Sequence, residues 1–202
     1  NEDTLANSLL TDNQKKAFWI NIYNAHIQII LSKNPELFKN RNAFFGAKRI
    51  VIANKELSFD DIEHGIIRSS KFKLALGLIK NPFAGKFEKK FRIKETDGRI
   101  HFALNCGAKS CPLVAIYDSS NFDDRIDEVA KSFLKSVCSY NAENEEVLIT
   151  SLFSWFRGDF GGTSGSIRLL KKYDIIPADS NPTISYLSYD WTLSLGNYYE
   201  AI

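Results

Sequence analysis

The feature that most constrains the fold is a helical pattern over residues 14–31 that is apolar on nearly every side. Thr11 or Asp12 lies where the N-cap of this helix is expected, and both residue types cap helices well. A surface helix keeps one polar face toward water, so a helix that is apolar nearly all round must be covered by other elements. The sequence therefore predicts a long, buried central helix.

The polar residues of this helix form a narrow stripe of amides. Asn21, Asn24 and Gln28 are spaced i, i+3 and i+7, which places them on one side. Buried amides need hydrogen-bond partners. Two interpretations stay open. In one, the stripe is an exposed edge or holds neighbouring loops; in the other, Asn21 and Asn24 face an active cleft and orient a catalytic group or a substrate.

The remaining patterns indicate short elements of both kinds. Residues 48–53 and 56–59 predict a hairpin, and residues 91–94 with 99–105 predict a second one. Asp123 begins an amphipathic helix, which carries Cys138 as a core thiol. Further predicted elements are helices over 60–69, 71–80, 152–156 and 166–173, a strand over 147–150 and an edge strand within 183–191.

We therefore predict an α+β fold in one globular domain over residues 1–202. The buried central helix and several surrounding helices would pack on a small, mainly antiparallel sheet, with a distant papain-like relationship as one option. The 202 residues suit a single core, and 25% charged with 44% hydrophobic residues is an ordinary globular composition.

Charge and hydropathy narrow the function classes. The formal charge is only +2, and the densest basic run, residues 86–94, is interrupted by Glu88 and by aromatic residues, so we predict no nucleic-acid partner. No apolar stretch approaches the roughly 20 residues that span a bilayer. The chain contains no methionine, which a removed signal peptide would explain. The pattern does not indicate an oligomeric state.

One segment, residues 99–112, concentrates the reactive side chains. It holds one of the three histidines and two of the three cysteines. On the strand predicted over 99–105, His101 and Cys106 would point to opposite faces. The two are therefore not expected to touch, whereas Cys111, on the returning loop, could reach either face.

Cysteine and histidine together suggest nucleophilic catalysis, in which a base raises the thiolate fraction and a third group orients the imidazole. Cys111 or Cys106 would be the nucleophile. His101 or His64 would be the base; Glu63 cannot pair with adjacent His64 across a helix. The candidate orienting groups are the side chains of Glu63, Asn105, Asn24 and Asp159.

Three other interpretations of the thiols stay open. Cys106 and Cys111 could form a disulfide that closes a small loop, or they could be packing residues. A metal site would use both thiols and His101, with His64 or Glu63 as the fourth ligand. The Cys-x-x-Cys spacing common in zinc sites is missing, so we predict neither a metal nor a cofactor.

Five blocks resemble the domain of unknown function 547 family: residues 18–25, 61–68, 99–112 and 155–161, and Tyr189-Asp190-Trp191 near the end. The resemblance implies a single domain found in bacterial cell-envelope proteins and in larger plant proteins. It is compatible with a papain-like thiol hydrolase in a rearranged order, and an extracytoplasmic location follows as an expectation. The reactive residues within the blocks are Glu63, His64, His101, Asn105, Cys106 and Cys111.

Two functions from different classes remain. The first is a thiol-dependent hydrolase or acyl transferase acting on an amide or ester, such as a peptide or cell-wall fragment, with an oxyanion held by backbone N–H groups of residues 107–111. The second is a non-catalytic module that binds a peptide or glycan and whose thiols are structural. The candidate ligand-contacting residues are Trp19, Asn21, Asn24, Trp155, Asp159 and Phe160.

Overall fold

The computed structural model describes residues 1–73 and 76–200. Its α-helices are α1 (Glu2–Ser8), α2 (Asp12–Lys33), α3 (Arg41–Gly46), α4 (Lys86–Phe91), α5 (Phe122–Val137), α6 (Leu152–Trp155) and α7 (Gly162–Lys172). Its strands are β1 (Ile50–Ile52), β2 (Lys55–Leu57), β3 (Ser139–Asn141), β4 (Glu146–Ile149) and β5 (Thr183–Tyr186). Tighter 3₁₀ turns occupy Pro35–Asn40 and Gly98–Phe102, and a wider π-helix occupies Asp61–Ile67.

The fold is α+β, as predicted, but its strands form two small sheets. β1 and β2 make an antiparallel hairpin, with Ala53 and Asn54 at positive φ in the turn, as such tight turns require. In the second sheet β4 is central, antiparallel to β3 and parallel to β5. The predicted edge strand is therefore present, and it runs parallel to its neighbour.

The central helix is confirmed as α2. Thr11 caps it in a capping box, accepting from the backbone N–H of Gln14 while the Gln14 side chain accepts from that of Thr11. Trp19, Ile20 and Ile27 on this helix have no solvent exposure. The π-helix, the turn Pro35–Asn40 and α5 pack against α2. No helix in the described ranges is long and apolar enough to cross a membrane.

The amide stripe of α2 ties down segments of irregular backbone. Asn21 donates to the carbonyl of Tyr117 at 2.8 Å and accepts from its N–H at 3.1 Å. Asn24 donates to the carbonyl of Ala103 and accepts from the N–H of Asn105, both at 2.8 Å. The side chains therefore replace a β-ladder as partners of buried backbone. This is the loop-holding arrangement, and it fixes the segment that leads into the two thiols.

The strand predicted over 99–105 is wrong, because its first residues coil into the 3₁₀ turn Gly98–Phe102. The Asp97 side chain accepts from the N–H of Arg99 and begins the turn. Both faces of the predicted strand are buried, with Ile100 and Phe102 on one face and His101 and Ala103 on the other, so the alternation of residue types did not mark an exposed face. The prediction that His101 and Cys106 point to opposite faces depended on this strand, so it no longer applies.

Two other local predictions also fail. The second hairpin is absent because Phe91 ends α4, residues 92–94 form no strand and the other predicted strand coils into the turn Gly98–Phe102. In α4, Phe87 and Phe91 pack edge-on against Trp19. The helix predicted over 71–80 is replaced at its ends by an antiparallel bridge between Lys71 and Lys80, and its residues 74–75 lie outside the described part of the chain.

The glycine-rich segment 158–165 leads directly into α7. Gly161 and Gly162 have φ near +75°, which glycine adopts freely. Gly165 lies so close to the chain that an added Cβ would fall 1.7 Å from the carbonyl oxygen of Phe160. This approach holds residues 159–160 against the start of α7, and it thereby positions Asp159.

Candidate active site

A cavity of about 370 Å³ opens between the C-terminal half of α2, the π-helix and the C-terminal segment. It gathers thiols, imidazoles, carboxylates and aromatic rings from segments far apart in sequence. Its walls are formed by Tyr23, Phe45, Asp60, Glu63, His64, Lys73, His101, Leu104, Cys106, Cys111, Leu152, Trp155, Phe156, Tyr189 and Trp191. Most of the predicted reactive residues thus meet in one place.

The two thiols of residues 99–112 lie side by side at this cavity. Both are free, and their sulfur atoms are 2.9 Å apart. The Asn105 side chain folds the loop between them, because it accepts from the N–H of Gly107 at 2.9 Å and donates to the carbonyl of Pro112 at 2.7 Å. Asn105 is therefore buried beneath the thiols and shapes their loop.

The sulfur of Cys111 collects hydrogen-bond donors. It accepts from the backbone N–H of Cys106 at 3.1 Å and from the hydroxyl of Tyr189 at 3.2 Å. Burial raises the pKa of Cys111, but the hydrogen bonds from the Cys106 thiol, Tyr189 and backbone N–H groups outweigh it and lower that pKa below the ordinary thiol value. Hydrogen bonds that stabilise a thiolate favour the nucleophilic form of cysteine.

The neighbouring thiol behaves in the opposite way. Its hydrogen bond to Cys111, together with burial, raises the pKa of Cys106 well above the ordinary value. Burial and the adjacent Cys111 also raise the pKa of Tyr189. Cys106 and Tyr189 therefore keep their protons and donate them toward Cys111. The hydrogen-bond donors of the pair therefore converge on the Cys111 sulfur.

His101 lines the cavity and is oriented by Asp159, which is buried behind it. Nε2 of His101 donates to the Asp159 carboxylate at 2.8 Å, and the ring stacks on Phe156 with 3.7 Å between centroids. Nδ1 of His101 has no hydrogen-bond partner within residues 1–73 and 76–200. Burial lowers the pKa of His101 despite the carboxylate. At neutral pH the imidazole is thus neutral, with its one ring proton on Nε2 and with Nδ1 able to accept another.

Asp159 is fully buried and is held ionised by cations. Arg68 donates to it through Nε at 2.6 Å, and Lys71 donates through Nζ at 2.9 Å. Burial alone would raise the pKa of Asp159, but His101 and Arg68 hold it well below the ordinary value. The carboxylate therefore remains a charged acceptor for His101.

His64 is arranged differently and is not poised as a base. Nη1 of Arg68 lies 2.8 Å from its Nδ1, and an arginine can only donate, so Nδ1 accepts. Burial and the Arg68 charge lower the pKa of His64 to about 3. Of the two predicted bases, only His101 combines a carboxylate partner with a free ring nitrogen.

Glu63 lines the cavity beside these groups. Its carboxylate accepts from the Tyr23 hydroxyl at 3.1 Å. Burial, followed by the nearby charges of Glu63 and the two thiols, raises the pKa of Tyr23 well above normal. Glu63 therefore orients Tyr23. The other carboxylate oxygen of Glu63, Oε1, lies 3.7 Å from Nδ1 of His64. Four side chains were candidates to orient the imidazole of the base: Glu63, Asn105, Asn24 and Asp159. Of these, Asp159 is the one that hydrogen-bonds His101.

Thiols and imidazoles share the cavity without touching. Within the described ranges no hydrogen bond joins a cysteine sulfur to a histidine nitrogen. In the same part of the chain no three histidine, cysteine, aspartate or glutamate side chains converge as metal ligands. The base expected for the nucleophilic thiol therefore does not hydrogen-bond it, and the hydrogen-bond partners of the Cys111 sulfur are the Cys106 N–H, the Cys106 thiol and the Tyr189 hydroxyl.

An aromatic wall faces the thiols. Trp155 and Trp191 are stacked with 5.7 Å between ring centroids, and Tyr189 lies within 4.8 Å of Trp155 and 4.6 Å of Trp191. The Arg41 guanidinium covers the Trp191 ring at 4.5 Å. Tyr189 thus belongs both to this wall and to the hydrogen bonding of Cys111.

The remaining predicted residues lie elsewhere. Trp19 is in the core, Asn21 and Asn24 are engaged with backbone, and neither these three nor Phe160 lines the cavity. Cys138 packs against a separate group of buried residues that includes Leu134, Val147 and Ile149, and burial raises its pKa to about 11, in line with the predicted inert thiol.

The sequence patterns did not single out Arg68, Tyr23 or Tyr189 as members of the site. Arg68 is one helical turn after His64, and its place in the resembling block 61–68 was the available signal. Tyr189 lies in a resembling block near the end, but its pairing with a thiol 78 residues earlier has no local signature.

The fold and the cavity define an α+β domain with a partly buried thiol pair and a carboxylate-bound histidine. The sequence profile described as "Protein of unknown function, DUF547" matches residues 7–134, and the chain belongs to this family. No curated protein and no solved structure matches the chain.

Proposed function

We propose that the protein is a thiol-dependent hydrolase or acyl transferase acting on an amide or ester, with Cys111 as the nucleophile. The observation that carries the proposal is the set of donors around the Cys111 sulfur, namely the Cys106 N–H and the Tyr189 hydroxyl. These donors favour the thiolate without a histidine in contact. In the same proposal, backbone N–H groups of residues 107–111 would hold the oxyanion that forms at an attacked carbonyl.

In this proposal His101 acts after the thiolate has attacked. The acyl group moves to Cys111, and an alcohol or amine leaves with a proton from solvent. Water or an acceptor amine then cleaves the thioester, His101 accepts its proton, and Cys111 departs as a thiolate. Asp159 is the positioning residue, because it holds the imidazole through Nε2 and leaves Nδ1 available.

The aromatic wall supports a peptide or a cell-wall fragment as the substrate class. Trp155, Tyr189 and Trp191 offer flat apolar faces beside the thiol, which suit sugar rings and peptide side chains. An extracytoplasmic location is part of the same proposal, since such a substrate would be met there. The wall also favours the second candidate, a non-catalytic peptide- or glycan-binding module with structural thiols.

Acylation by p-nitrophenyl acetate separates the two candidates. The enzyme proposal expects one acetyl group on Cys111 by intact-mass and peptide analysis, no such adduct in Cys111→Ser, and an unchanged result in the control Cys138→Ser. In His101→Asn the adduct should form but persist, because its hydrolysis lacks a base. Absence of acetylation at Cys111, or equal acetylation of Cys138, would reject the enzyme and leave the binding module.

A further inference from the structure

The chain carries a second thiol where thiolate chemistry needs only one. Cys106 and Cys111 are separated by four residues, and Gly107, at φ +92°, turns the loop so that the sulfur atoms are 2.9 Å apart. A disulfide bond is about 2.05 Å long, so the sulfurs need to approach by less than about 1 Å. Both atoms line the cavity and are reachable by a small molecule.

We propose that Cys106 and Cys111 form a reversible disulfide by exchange with a low-molecular-weight disulfide, Cys111 attacking and Cys106 resolving. The Cys111 thiolate attacks one sulfur of the oxidant RSSR, which forms a Cys111–S–S–R bond and releases RS⁻. Cys106 then attacks the Cys111 sulfur, the protein disulfide forms, and a second RS⁻ leaves with the Cys106 proton. Two electrons pass from the dithiol to RSSR.

The order of the two thiols follows from their surroundings. The Cys111 sulfur receives the Cys106 N–H and lies 3.2 Å from the Tyr189 hydroxyl, against 3.9 Å for the Cys106 sulfur, so Cys111 is the one ready to attack. Cys106 lies in contact with the sulfur that becomes the mixed disulfide. Cys138 lies at another cluster, outside the cavity lining, and takes no part.

The exchange goes beyond the acyl chemistry proposed above and does not depend on it. If both proposals hold, oxidation occupies the nucleophile, and reduction by a thiol restores it. Asn105 already holds the loop between the two cysteines through hydrogen bonds to Gly107 and Pro112. The disulfide can therefore form without refolding the backbone of this loop.

The test is to treat the reduced full chain with oxidised glutathione and count free thiols by N-ethylmaleimide and intact mass. The wild type should lose two alkylatable thiols without retaining glutathione, keep Cys138 reactive after unfolding, and recover both thiols in dithiothreitol. Cys106→Ser should retain one glutathione on Cys111, because nothing resolves it. Cys138→Ser is the matched control and should behave as the wild type.

A stable glutathione adduct on the wild type, or three thiols still free under conditions that glutathionylate Cys106→Ser, would overturn the disulfide. In that case acetylation of Cys111 by p-nitrophenyl acetate would still stand on its own. Conversely, a disulfide without acetylation would retain the exchange and reject the acyl chemistry. The two proposals therefore fail by different observations.

Discussion

Asp159 accepts the hydrogen bond from Nε2 of His101 at 2.8 Å, although 58 residues separate them in sequence. The same carboxylate binds Arg68 and Lys71 and has no exposed surface. One buried group thus links the π-helix, the 3₁₀ turn and the segment before α7. The position of His101 in the cavity and the stability of the fold depend on the same ionised side chain.

Replacing that carboxylate is expected to be costly. Asp159→Asn leaves Arg68 buried without a counter-ion, and breaking a buried pair costs about 3–5 kcal/mol of unfolding free energy. Urea denaturation followed by circular dichroism measures the loss. Asp174→Asn is the matched control, since Asp174 pairs with Lys131 on the surface and should change stability by less than about 1 kcal/mol. Equal effects of the two changes would contradict the structural role of Asp159.

The hydroxyl of Tyr189 is expected to set the reactivity of Cys111. Tyr189→Phe removes one donor to the thiolate, a hydrogen bond worth about 1.5–3 kcal/mol, so the pKa of Cys111 should rise by about one to two pH units. The pH profile of Cys111 alkylation by iodoacetamide measures that shift. Tyr186→Phe, at a half-exposed ring on β5, should leave the profile in place. An unmoved profile in Tyr189→Phe would show that the hydroxyl does not stabilise the thiolate.

Asn105 is expected to act on the same thiol through the loop. Asn105→Ala removes the bonds to Gly107 and Pro112, so the Cys106 N–H and Tyr189 should no longer align with Cys111. Iodoacetamide should then alkylate Cys111 at neutral pH several-fold more slowly. The exposed Asn144→Ala serves as control. If alkylation stayed as fast in Asn105→Ala as in Asn144→Ala, the loop would not depend on this amide.

Local patterns predicted those parts of the fold that local forces determine. The capping box of Thr11 and the apolar sides of α2 are contained in a few turns of sequence, as are the β1–β2 turn and the stripe of α5. The error at residues 99–105 has a tertiary cause. Asn24 on α2 binds the backbone at Ala103 and Asn105, which removes any need for a paired strand.

The residues of the candidate site, like the elements of the fold, could be predicted only in part from the sequence. Cys106, Cys111 and His101 were found because they are rare residues in one segment, and they do meet at the cavity. Their roles could not be assigned from spacing, since the donor to Cys111 comes from Tyr189 and the partner of His101 comes from Asp159. Contacts of this kind depend on how distant segments pack.

A close backbone approach makes Gly165 a sensitive position. In Gly165→Ala the new Cβ would fall 1.7 Å from the Phe160 carbonyl oxygen, so the backbone must move. We expect a loss of at least about 1–3 kcal/mol of unfolding free energy, as for other overpacked sites. Gly85→Ala is the control, because its φ is −67° and no atom lies within 4 Å of the added Cβ. Equal melting temperatures for the two variants would contradict the contact.

Stability should rise with pH through the acidic range because of His64. Its pKa is lowered from 6.5 to about 3 in the fold, so between these values the unfolded chain binds a proton that the native state does not. Each such group adds about 1.4 kcal/mol of unfolding free energy per pH unit across that window. The slope from urea titrations at pH 4–6 should therefore fall in His64→Gln. His26→Gln, outside the cavity, should keep the wild-type slope, and a reduced slope in that variant instead would show that His64 is not the group responsible.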